Sequence, residues 1–71
     1  MTDLSVIIPI YNEEKNIPEL HTEIQTALEP LGLDYEVIAI DDGSRDDSYK
    51  ALQKVYQNDQ RWQIIQFRRN F

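Results

Sequence analysis

Three short apolar runs, separated by two stretches of helical periodicity, limit this chain to a narrow set of folds. The runs are Leu4 to Ile10 (LSVIIPI), Tyr35 to Ile40 (YEVIAI) and Trp62 to Phe67 (WQIIQF). Each is too short for a helix and is rich in β-branched or aromatic residues. The first does not alternate between apolar and polar, which suits a strand buried on both faces of a sheet. Between the first two runs, Ile17, Leu20, Ile24, Ala27, Leu28 and Leu31 recur at intervals of three and four, so one helical face is apolar. Asn16 stands as N-cap, Pro18 lies in the first turn, and Glu19 takes the third helical position of a capping box. Pro30 and Gly32 end this helix. A second helix carries Tyr49, Leu52, Val55 and Tyr56 on its apolar side, with Ser44 or Asp46 as its cap and Asp46 and Asp47 at the positive end of its dipole.

The order is therefore β-α-β-α-β. Helical crossovers between short buried strands are right-handed almost without exception, so the strands are expected to run parallel. This is half of a doubly wound, Rossmann-like α/β sheet, one incomplete domain over residues 1–71, in which ligands bind beyond the carboxyl ends of the strands. Polar clusters fall at that rim: Tyr11 to Glu14 after the first strand, Asp41 to Ser44 after the second, and Arg68 to Asn70 after the third.

Composition narrows the partners. The 71 residues carry a net charge of -6 and scattered basic residues, which argues against nucleic acid, since phosphate backbones are gripped by clustered Lys and Arg. There is no cysteine and no His/Cys cluster to supply a disulfide or a structural zinc. No apolar run approaches the roughly 20 residues that span a bilayer, and the start has no signal-peptide pattern. On these grounds the chain is expected to be soluble and cytosolic.

Each tip carries a functional reading beside a plainer one. The first βα turn, Pro9-Ile10-Tyr11-Asn12-Glu13-Glu14, contains no glycine, which excludes both the dinucleotide fingerprint and a Walker loop. Tyr11 can offer an aromatic face to a base and Glu13 an acceptor to ribose hydroxyls; the same residues also suit an ordinary loop with a solvated acidic pair. In Asp41-Asp42-Gly43-Ser44, one carboxylate can face the rim and accept from a base or ribose while the other caps the next helix or holds the loop. An Asp-Gly turn with a helix cap is the plainer alternative. A magnesium site ranks behind the nucleoside reading, since such a site needs one or two carboxylates plus substrate phosphates. Arg68 and Arg69 put positive charge where a diphosphate can lie, or form a solvated basic end. His21 and Trp62 read as structural.

The pairing of Ser5-Val6-Ile7-Ile8-Pro9-Ile10-Tyr11-Asn12-Glu13-Glu14 with Ile40-Asp41-Asp42-Gly43-Ser44-Arg45-Asp46 about thirty residues later resembles the opening of a family-2 glycosyltransferase of GT-A fold. Arg68-Arg69-Asn70-Phe71 is similar to the S-R-N-F-G segment of the branch that transfers sugars to polyprenyl phosphates, with Arg68 where that branch often has Ser. The resemblance covers essentially the whole chain. It implies that Pro9, Tyr11, Glu13 and Asp42 line a nucleoside pocket, that Asp41 lies nearby or supports it, and that Arg69 is near the donor. It further implies a UDP- or GDP-sugar donor, a lipid-phosphate acceptor at the cytosolic membrane face, and Mg²⁺ or Mn²⁺ held by a D-x-D motif that these 71 residues do not contain. The 71 residues would then bind donor without catalysing transfer. The competing class is a receiver or flavodoxin-like module with an acidic Mg²⁺ cluster. It would need a phosphoacceptor Asp after the third strand, where this chain has Arg68-Arg69.

Overall fold

A computed structural model describes residues 2–67; Arg68, Arg69 and the two residues after them lie outside the described residues, and so does the expectation placed on them. The strands are β1 (Leu4–Ile10), β2 (Tyr35–Asp42) and β3 (Trp62–Phe67), and the helices are α1 (Ile17–Leu28) and α2 (Ser48–Asn58). A single 3-10 turn, Glu29–Leu31, follows α1, and Gly32 closes it in the left-handed region at φ 67. A residue without a Cβ takes that conformation without steric cost.

The sheet is wholly parallel, in the order β1-β2-β3. The register pairs Val6 with Val37 and Val37 with Trp62, and carries Ile10 opposite Asp41 and Asp42 opposite Phe67. The second strand therefore runs two residues beyond the apolar run that marks it in the sequence. Asp41 and Asp42 belong to the ladder: Asp41 pairs with Ile10 of β1 and Gln66 of β3, and Asp42 with Phe67 of β3.

Right-handed crossovers that step the same way across a sheet put both helices on the same face. That face holds the core. Ile10, Val37, Ala39, Leu52 and Trp62 are fully buried there together with Ile17, and Leu20, Ile24, Leu28 and Ile64 pack against them. Burying each large side chain of this kind contributes about 1.5–3 kcal/mol.

The expectation that β1 is buried on both faces is corrected. Ser5, Ile7 and Pro9 alternate with the inward Val6, Ile8 and Ile10, and Ile7 is 63% exposed. With both helices on one side, nothing among the described residues covers the other, which also shows Ile65 and Phe67 to solvent. A continuous apolar run in the sequence does not by itself say which face a helix will cover.

The helix starts are corrected as well. Asn16 is the N-cap residue of α1 as expected, but its backbone is already helical and its side chain makes no capping bond, so the box with Glu19 does not form. Its amide instead donates to the Glu13 carbonyl at 2.9 Å, closing a turn. At α2 the N-cap is Asp47, again without a side-chain cap. Ser44 turns to the neighbouring loop, while Asp46 divides its carboxylate between that loop's Glu14 amide and the Ser48 amide that begins α2.

Candidate functional site: the rim at the strand carboxyl ends

The first and second tips meet. Chain direction, parallel pairing and the short turns bring residues 11–16 against residues 43–48, and a two-way set of hydrogen bonds stitches them together. From the first tip, the Asn12 amide donates to Ser44 Oγ at 3.0 Å, the Glu13 amide to Ser48 Oγ at 2.9 Å, and the Glu14 amide to Asp46 Oδ2 at 3.2 Å. In return, the Arg45 amide donates to Asn12 Oδ1 at 2.7 Å and the Asp47 amide to Glu14 Oε1 at 3.2 Å. Backbone groups that no ladder or helix satisfies find side-chain acceptors across the gap.

Asn12 is the bend in this arrangement. Its φ of 50 lies in the left-handed region, where Asn is among the few side chains tolerated. Both its amide and its side-chain oxygen are held by the second tip, so the neighbouring loop fixes a conformation that costs energy in isolation. Gly43, at φ 72, makes the corresponding bend after β2.

Asp46 is the hub. Its Oδ1 accepts from the Ser48 amide at 2.9 Å and from the Ser48 hydroxyl, while its Oδ2 takes the Glu14 amide. The Ser48 hydroxyl hydrogen bond, with help from the backbone donors, holds the Asp46 carboxyl below the ordinary carboxylate range. Ser48 is fully buried and relays the contact, donating to Asp46 while accepting from Glu13.

Strand alternation separates the two adjacent aspartates. Asp41 points to the helix-covered face and is fully buried; its Oδ1 accepts the Ser44 amide at 3.0 Å, and its Oδ2 meets no hydrogen-bond donor among the described residues. Asp42 points to the uncovered face and is exposed. Pro9 shares that face, opposite Ile40 in the register. Tyr11, the first residue past β1, is 46% exposed at the rim. The Glu13 side chain is exposed, while its amide is committed to Ser48. Pro9, Tyr11 and Asp42 thus gather at one edge, and Asp41 stands beneath it. Arg69 lies outside the described residues.

Sequence reasoning read Ser44 or Asp46 as the cap of the second helix, a part Asp46 takes through the Ser48 amide, and gave Asn12 and Ser48 no role. The available signal was the pair of polar clusters itself: Asn and Glu in one tip and Ser, Asp and Ser in the other are short side chains suited to bonding a neighbouring backbone. Which backbone they would choose depends on the tips being adjacent, and that is a tertiary fact.

At the opposite end of the sheet a second polar cluster ties the layers together. Arg61 grips Asp59 through Nε at 2.8 Å and Nη2 at 2.9 Å, and His21 Nε2 lies 3.1 Å from Asp59 Oδ2. The Arg61 hydrogen bonds hold the Asp59 carboxyl down to about 2, and the contact with His21 adds to this against the opposing effect of burial. The Arg61 guanidinium also lies 4.4 Å from the Tyr35 ring centroid, and His21 meets the edge of Trp62. Trp62 is fully buried at the start of β3, and His21 on α1 packs on it and reaches Asp59.

Among the described residues, no group of three or more His, Cys, Asp or Glu side chains is gathered to hold a metal ion. No described helix is long and apolar enough to cross a membrane.

A parallel β-α-β-α-β unit whose strand ends carry two interlocked polar loops belongs to the doubly wound, Rossmann-like α/β class. The particular family follows from comparison with known proteins. Residues 5–71 match the model of glycosyl transferase family 2, and the chain belongs to that family. It is 41% identical over 69 residues to an uncharacterized glycosyltransferase of Synechocystis sp. (strain ATCC 27184 / PCC 6803 / Kazusa), an alignment that takes in 97% of this chain. The chain spans 22% of that relative's length. The receiver-like alternative is not favoured by this membership.

Proposed function

We propose that this chain is the donor-binding part of a glycosyltransferase, and that its rim accepts the nucleoside diphosphate of a UDP- or GDP-sugar. The observation that carries the reading is the gathering of Pro9, Tyr11 and Asp42 at one strand-end edge in a chain of glycosyl transferase family 2. Asp42 has the acceptor oxygens for a base N–H or a ribose hydroxyl, and Tyr11 has the ring face for a base. Glu13 stands close enough in the chain to reach a ribose. Arg69 supplies the positive charge a diphosphate needs.

In the longer protein the transfer is of a hexosyl unit to a polyprenyl phosphate at the cytosolic membrane face. The similarity of Arg68-Arg69-Asn70-Phe71 to that branch supports this acceptor. A divalent cation such as Mg²⁺ or Mn²⁺ would neutralise the leaving diphosphate. Among the described residues no group of three or more His, Cys, Asp or Glu side chains is gathered to hold one, and the D-x-D motif implied by the family resemblance would supply its ligands.

Calorimetric titration of the 71-residue chain with UDP, GDP and ADP, with and without Mn²⁺, tests the reading. The expected result is binding of UDP or GDP in preference to ADP, with no turnover of a sugar nucleotide by the chain alone. Heat from Mn²⁺ without nucleotide would point to the receiver-like class. No heat from any nucleotide would contradict donor binding.

A further inference from the structure

We propose that Asp46 is a positioning residue for donor binding: with Ser44 and Ser48 it clamps the first tip against the second, and so sets where Tyr11 stands relative to Asp42. The proposal rests on the donor-binding reading and adds to it a residue that need not touch the ligand.

Three observations carry it. The first tip has no glycine to relieve it, and its left-handed residue, Asn12, has its amide and its side-chain oxygen bonded to Ser44 Oγ and the Arg45 amide. The amides of Glu13 and Glu14, which follow, are both secured by the Asp46–Ser48 pair. The second tip is anchored in turn to the sheet interior, because Asp41 is fully buried and accepts the Ser44 amide. The connection therefore runs from the core, through Asp41 and Ser44, to Asn12, and from α2 through Ser48 and Asp46 to Glu13 and Glu14. Tyr11 is the residue between β1 and this fixed stretch. A loop held in its binding conformation before the ligand arrives avoids the ordering cost that a free loop bears on binding.

The carboxylate form of Asp46 fits the role. It accepts from three donors at once, which an alanine cannot do, and the Ser48 hydrogen bond that lowers its pKa favours this ionised form.

The test combines binding and amide exchange on the 71-residue chain. Asp46→Ala is expected to weaken the preferred nucleoside diphosphate about tenfold, the size that follows when hydrogen bonds ordering a loop are lost. It should also speed hydrogen exchange at the Glu13 and Glu14 amides. Ser44→Ala, a gentler change that keeps Asp46, should weaken binding about threefold and speed exchange at Asn12. Asp46→Asn keeps one acceptor oxygen and should fall between wild type and Asp46→Ala. The control is Val55→Ala in the core under α2: it should lower the Tm as much as Asp46→Ala does yet leave the dissociation constant within about twofold.

Wild-type affinity in both Asp46→Ala and Ser44→Ala would overturn the clamp while leaving donor binding intact. Affinity that merely follows Tm, with Val55→Ala as weak as Asp46→Ala, would overturn it too. Should Asp46→Ala not fold, Ser44→Ala against Val55→Ala decides the matter. A wild-type chain that binds neither UDP nor GDP overturns the donor reading and this proposal together, whereas unchanged amide exchange in the variants overturns the clamp alone.

Discussion

Asp41 and Asp42 show how much one step along a strand changes a residue's chemistry. Alternation sends the first inward and the second to the uncovered face. The two should therefore fail differently. Asp42→Ala is expected to cost nucleotide affinity with little change in Tm. Asp41→Ala removes the acceptor of the Ser44 amide from a buried site, and should lower stability by about 1–3 kcal/mol. Paired chemical denaturation and nucleotide titration check both. Equal losses of stability in the two variants would contradict the assignment. The sequence made the division of labour legible, since two adjacent carboxylates ending an apolar run cannot share one environment. It left open which aspartate took which role. That depends on which face the helices cover, and face is set by the handed crossovers rather than by any residue near the pair.

The elements themselves were largely readable because their periods differ: strands with apolar runs, helices with spacings of three and four. What the sequence misplaced were the ends. Asn16 and Glu19 satisfy the pattern of a capping box, yet the chain entering α1 is already helical at Asn16, and in that geometry its side chain makes no capping bond. Ser44 is drawn away from α2 by the Asn12 amide of the first tip, whereas Asp46 serves both, with Oδ1 on the Ser48 amide that begins α2 and Oδ2 on the Glu14 amide. The lower end of the sheet carries an element-scale prediction of its own. Asp59 is depressed by its Arg61 hydrogen bonds to about 2, below the ordinary value of about 3.9 for an unfolded chain. A depressed carboxyl contributes stability that is fully present above the unfolded value and is lost as pH falls through the folded one. Asp59→Asn should therefore be less stable than wild type at pH 6, with the difference shrinking between about pH 4 and pH 2. Thermal melts across that range measure it, and a difference that does not shrink would contradict the role given to this pair.

For the molecule as a whole, the sheet has one face packed by both helices and one face in solvent, where Ile7, Ile65 and Phe67 are exposed. Parallel sheets of this kind ordinarily have both faces covered. The relative of which this chain spans 22% has ample further length to do so. An apolar face of this sort promotes association. Ile7→Lys and Ile65→Lys together should shift sedimentation of the 71-residue chain toward monomer without lowering its Tm by more than about 1 kcal/mol equivalent, since neither side chain is in the core. Retained self-association would point to some other surface.

The central claim is that the interlocked tips bind a nucleoside diphosphate. Backbone amide shifts of the labelled chain, followed during titration with UDP and with GDP, test it most directly. An alternative location exists in the open groove between α1 and α2, where His21, Lys50 and Lys54 offer cationic or hydrogen-bonding groups. The account predicts saturable shifts concentrated at residues 11–14 and 42–46, with His21, Lys50 and Lys54 unmoved. Shifts centred on His21, Lys50 and Lys54, or none at the rim at saturating nucleotide, would contradict it.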